Sequence, residues 1–97
     1  MTSMILSCML LAGFQLKSVE APIDEWAMAT INETHNGGNF EATVIEGKLN
    51  SVGIEVPEYG LKTFSYSSRD YDQKNLTTML DWKGGHSSIE CDIKSKN

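Results

Sequence analysis

Asn75-Leu76-Thr77-Thr78-Met79-Leu80-Asp81-Trp82-Lys83-Gly84-Gly85-His86-Ser87-Ser88-Ile89-Glu90-Cys91-Asp92-Ile93-Lys94 is the stretch whose reading decides the fold. A diglycine step between two alternating runs signals a hairpin, because glycine adopts the positive φ that a two-residue turn requires. Counting outward from Gly84-Gly85 sets Lys83 opposite His86, Trp82 opposite Ser87, Leu80 opposite Ile89, Thr78 opposite Cys91 and Leu76 opposite Ile93. One face of the pair is then almost wholly apolar. The other carries Thr77 with Asp92, Met79 with Glu90 and Asp81 with Ser88. A slip of one residue would turn those carboxylates inward, so the pattern itself is expected to fix the register. A helix over the first run would align only Leu76, Met79 and Leu80 and leave Trp82 stranded.

Upstream, Leu61 to Ser67 reads as a strand with Phe64 and Tyr66 on one face, followed by a polar loop from Ser67 to Lys74. Val52-Gly53-Ile54-Glu55-Val56 alternates strictly until Pro57, and Phe40 to Glu46 alternates loosely. If Phe40, Ala42, Val44, Val52, Ile54 and Val56 face the core, Glu41 and Glu55 face water. Pro22 is placed to open a helix, with Asp24 and Glu25 in its first turn where the dipole favours anions. Ile23, Trp26, Ala27, Thr30, Ile31 and Thr34 form its apolar side, and Asn36-Gly37-Gly38 ends it. Trp26 and Trp82 are both assigned to core faces.

Met4 to Leu16 is the most apolar segment, and Lys17 ends it short of the roughly 20 apolar residues of a membrane span. Its Met, Leu and Ala content favours a buried helix, with Ser3 as N-cap and Gly13 just past the end. A secretory leader with cleavage after Val19-Glu20-Ala21 is the competing reading, although Thr2 and Ser3 supply no basic start. The resulting expectation is an α+β domain over residues 1–97. One antiparallel sheet of about four strands, including a C-terminal β-hairpin, would carry one or two helices on one side.

Chemistry is sparse. With 97 residues, 40% of them hydrophobic, the chain holds one modest core and little room for a deep cleft. His35 suits a helix C-terminus, where capping outranks catalysis, and His86 flanks an exposed turn and reads as inert. Cys8 and Cys91 are too few for a disulfide framework, and Cys91 reads as a small core hydrophobe. His86, Cys91 and Asp92 differ in strand parity, which argues against a metal site. Gly37-Gly38 and Gly84-Gly85 lack the residues of a phosphate loop and read as turns. Asn32-Glu33-Thr34 and Asn75-Leu76-Thr77 match the glycosylation acceptor pattern, which matters only in a glycosylating compartment. No catalytic residue, metal or cofactor is expected.

Charge is more informative. Residues 18–61 hold eight acidic groups against the single Lys48, out of a chain net charge of −5. That field opposes direct binding to nucleic acid or to an anionic membrane and favours a neutral or basic partner. The candidate contact residues are Asp24, Glu25, Glu33, Glu41, Glu46, Glu55 and Glu58, with Asp70 and Asp72 in the adjoining loop. Outward residues on a strand recur about every 6.7 Å, and two base steps of DNA rise about 6.8 Å, so a rigid acidic surface could imitate phosphate spacing.

In size, acidity and absence of a catalytic constellation, the chain resembles the small phage-encoded inhibitors of host defence, in particular the anti-CRISPR proteins that act as DNA mimics. The resemblance implies a non-enzymatic inhibitor in the cytoplasm of a bacterial host. Its partner would be a basic nucleic-acid-binding protein or a CRISPR surveillance complex, engaged where target DNA would enter. The alternative is a secreted or periplasmic small binding or immunity protein, with an N-terminal signal segment.

Overall fold

The computed structural model describes residues 3–67, 75–83 and 85–95, and their regular structure is eight strands and one short 3-10 turn. The strands are β1 (Met4–Ala12), β2 (Gln15–Pro22), β3 (Ala29–His35), β4 (Gly38–Ile45), β5 (Lys48–Val56), β6 (Leu61–Tyr66), β7 (Asn75–Trp82) and β8 (Gly85–Ser95). They form two antiparallel four-stranded sheets, ordered β2-β1-β8-β7 and β3-β4-β5-β6. The expected α+β architecture is thus corrected to a β-sandwich, with no α-helix among the described residues. The second sheet is an uninterrupted meander. The first joins the N-terminal and C-terminal hairpins through β1 and β8.

Both expected helices are strands for identifiable reasons. In β1, Leu6, Cys8, Leu10 and Ala12 are buried at every second position, a period that outweighs the helix propensity of Leu and Met once β2 and β8 flank it. Gly13, read as a helix terminator, instead has φ +66° in the two-residue connection to β2. Along β3, Ala29 and Ile31 point inward, while β-branched Thr30, Ile31 and Thr34 suit a pleated surface. Pro22 ends an edge strand rather than opening a helix, and Asn36-Gly37, at φ +46° and +84°, forms the tight turn to β4. Trp26, assigned to the core, lies 75% exposed in the loop between β2 and β3.

The C-terminal hairpin forms with both faces as expected but a different register. Trp82 pairs with Gly85, Asp81 with His86, Leu80 with Ser87, Thr78 with Ile89 and Leu76 with Cys91. Each β7 residue therefore meets a β8 partner two positions earlier than the turn count gave. An even slip preserves which side chains face the core, so hydrophobic patterning does not oppose it.

Between the sheets, Leu6, Leu10 and Ile89 meet Phe40, Val44, Leu49, Val52 and Ile54 in one fully buried cluster. Cys8 and Cys91, set aside as unbridged, are directly paired on β1 and β8 and joined by a disulfide inside this core. Polar contacts close the sides of the sandwich. Lys17 of β2 donates to Glu33 of β3 at 2.6 Å, His35 Nε2 donates to the Gln15 carbonyl at 3.1 Å, and the Thr63 and Thr78 hydroxyls meet at 3.4 Å.

Candidate binding surface

Alternate residues of the meander point away from the core on one face, and pairing arranges them in rows across it. Asn32, Glu41, Gly53 and Phe64 stand in register from β3 to β6. On one side of that row lie Thr34, Asn39, Glu55 and Lys62; on the other lie Thr30, Thr43, Ser51 and Tyr66. The face is consequently polar across three strands and aromatic along β6.

Gly53 makes this arrangement possible. A Cβ built there would run into the Phe64 side chain, so the ring occupies the space that a side chain at Gly53 would take. Glycine inside a strand often marks such a close approach. Tyr66 follows two residues later on the same face, with ring centroids 6.2 Å apart and planes inclined by 24°. Tyr66 as a residue is 67% exposed. Lys62 completes the aromatic strand, with Nζ 5.7 Å from the Phe64 centroid and 3.4 Å from a Glu55 oxygen.

The polar groups opposite the rings are partly committed. Asn39 Oδ1 accepts a hydrogen bond from Thr34 at 3.0 Å, and its amide donors are not used in that bond. Thr43 and Ser51 hydroxyls pair at 2.8 Å, and Asn50 donates to Thr43 at 3.4 Å. Among the described residues neither Asn32 nor Glu41 makes a side-chain hydrogen bond or ion pair. A shallow cleft of about 140 Å³ lies between these groups and Phe64.

The opposite face of the molecule has a different character. Ser7 is flanked in register by Glu20 and Asp92, and Met9 by Ser18 and Glu90, around an open depression of about 470 Å³. No group of three or more metal-ligating side chains occurs among the described residues.

The acidic candidates are spread over the molecule. Asp24, Glu25 and Glu46 sit at the end where the β2–β3 loop meets the β4–β5 turn, joined by a Gly47-to-Ala27 backbone bond of 2.8 Å. Glu58 sits in the 3-10 turn beyond the far end of β5. Glu41 and Glu55 lie on the meander face as expected, whereas Glu33, expected outside a helix, lies at the side of the sandwich in its ion pair with Lys17. Asp24 is held locally, accepting from the Trp26 and Met28 amides at 2.9 and 3.0 Å. Asp70 and Asp72 lie outside the described residues.

Phe64, Tyr66, Asn32 and Asn39 were not among the candidates from sequence. The available signal was Gly53 inside a strictly alternating strand, with an aromatic pair on the next strand. Of the two histidines, His35 bonds to a backbone carbonyl and His86 Nδ1 donates to Asp81 beside the β7–β8 turn. Ser87 is buried and accepts from Trp82 Nε1 at 3.0 Å. No protein-family model, curated protein or solved structure matches this chain.

Proposed function

We propose that this chain is a non-catalytic binding module of an oxidising compartment, periplasmic or secreted, that meets its ligand through the open face of β3-β4-β5-β6. The observation that carries the reading is the disulfide between Cys8 and Cys91 in the core. Reducing cytosol keeps thiols apart, while small domains of oxidising compartments rely on such bonds to supplement a limited core. The same observation changes the part assigned to the N-terminal segment. Residues 4–22 supply β1, β2 and one half of the disulfide, which supports reading them as part of the folded domain.

The DNA-mimic reading draws on outward carboxylates presented together by a rigid sheet and helix, and the geometry lends it little support. Among the described residues its candidate acids lie at both ends, on one side and on one face, and three of them are engaged by Lys17, Lys62 or backbone amides. On the meander face, Glu41 and Glu55 are opposed by Lys62, which leaves a net charge of only −1 there.

Fractionation of the cells that make the chain tests the proposal. The expected result is recovery of the full chain, residues 4–22 included, in the envelope or the medium. Recovery of all of it from the cytosol would overturn the proposal.

A further inference from the structure

We propose that the meander face binds a neutral glycan, with Phe64 and Tyr66 as a stacking platform and Asn32, Asn39 and Glu41 as partners for sugar hydroxyls. This rests on the binding-module reading and names its ligand class.

The argument begins with the rings. Phe64 and Tyr66 lie side by side on the edge strand with planes only 24° apart, and Tyr66 as a residue is largely exposed. A pyranose presents a flat face of C–H groups whose burial against such a strip removes apolar surface on both partners from solvent. Its equatorial edge carries hydroxyls, each both donor and acceptor. The protein lines the cleft beside Phe64 with complementary groups: amides on Asn39 and Asn32 and an acceptor-only carboxylate on Glu41. Register places Asn32, Glu41, Gly53 and Phe64 in one row, so a ring stacked on Phe64 points an edge at that carboxylate and amide. Rigid aromatic anchors beside adaptable polar side chains are the general make-up of a selective, mostly polar recognition surface.

Charge chooses between this ligand and others that stack on aromatic rings. Single-stranded nucleic acid requires a basic groove along its backbone, and the only cation in these rows, Lys62, is tied to Glu55. Glu41 would repel a polyanion. A proline-rich peptide docks in a groove walled by aromatic side chains, whereas the side facing Phe64 here is amide and carboxylate. A neutral polyhydroxylated chain satisfies both the rings and the polar row.

Affinity electrophoresis of the oxidised full chain tests the inference, in native gels cast with β-glucan, xylan, galactomannan or starch, and with heparin as a polyanion. The expected result is retardation in at least one neutral gel and none in heparin. Tyr66→Ala, at an exposed position, should weaken the retardation about tenfold or more, as expected for loss of one stacked ring. Tyr66→Phe should keep it, and Glu41→Gln should reduce it with an unchanged melting curve. No retardation in any neutral gel, retardation indifferent to Tyr66→Ala, or retardation in heparin alone would overturn the inference, as would retention of a proline-rich peptide in place of sugar. Such a failure, in a chain recovered outside the cytosol with its disulfide closed, would leave the compartment and module reading standing.

Discussion

Cys8 and Cys91 are 83 residues apart in sequence and directly opposite each other in space, with Cα atoms 4.1 Å apart at the centre of the first sheet. Their bond joins β1 to β8 within the core and closes most of the chain into one loop. Cross-linking a loop of this length restricts the unfolded ensemble strongly, and such bonds contribute about 2–4 kcal/mol. Cys8→Ala with Cys91→Ala, or reduction of the native protein, should therefore lower the melting temperature by roughly 10–25 °C for a domain of this size. Thermal denaturation followed by far-UV circular dichroism, with and without reductant, measures it. An identical melt under both conditions would show that the bond does not contribute.

Gly53 and Phe64 form a second coupled pair. Replacing a strand glycine by alanine ordinarily stabilises by about 0.4–1 kcal/mol through the unfolded state when the conformation is tolerated. At Gly53 the added methyl would displace the Phe64 ring, so Gly53→Ala should instead destabilise by about 1–3 kcal/mol. In the Phe64→Ala background the same substitution should cost much less. A double-mutant cycle by urea denaturation reads the coupling, and additive effects would contradict the packing described.

Much of the meander was legible in the sequence, because Phe40, Ala42, Val44, Val52, Ile54 and Val56 alternate with polar residues and are all buried. The two expected helices were not. Met4 to Ala12 carries apolar residues on both faces, so its period is ambiguous locally and is settled only by the strands on either side. At the C-terminal hairpin, parity fixed the faces but not the partners, since a slip of two leaves every side chain on the same side. The Cys8–Cys91 pairing depends on β1 and β8 becoming neighbours, a long-range fact that no local spacing encodes. On the candidate face, Phe64 and Tyr66 were visible as a same-side pair. Their relation to Gly53, Asn32 and Glu41 required the register of four strands.

Asp24 should prove structural. Its carboxylate accepts from two backbone amides in the β2–β3 loop, where Ala27 adopts φ +60°. Asp24→Ala should cost about 0.5–2 kcal/mol, in line with the loss of comparable side-chain caps. Asp24→Asn, which keeps an acceptor oxygen, should retain most of that stability. Chemical denaturation of the two variants distinguishes them, and equal losses would contradict the capping role.

Charge reversal at the two ends should be nearly silent. Glu25, Glu46 and Glu58 are exposed, and among the described residues their side chains make no hydrogen bond or ion pair. Glu25→Lys with Glu46→Lys, and separately Glu58→Lys, should each stay within about 0.5 kcal/mol of the parent in stability. Neither should alter glycan retardation. Acquisition or loss of binding to a basic nucleic-acid-binding protein in these variants would return the acidic surface to the centre of the account.

The most direct test of the central claim is the thiol state of the chain in the cells that make it. Alkylating reagent added at lysis, followed by intact-mass and peptide analysis, reports whether Cys8 and Cys91 were bonded before extraction. The account predicts no alkylation at either cysteine and a cross-linked peptide pair containing both. Recovery of the native chain with both thiols alkylated would contradict it and place the protein in a reducing compartment.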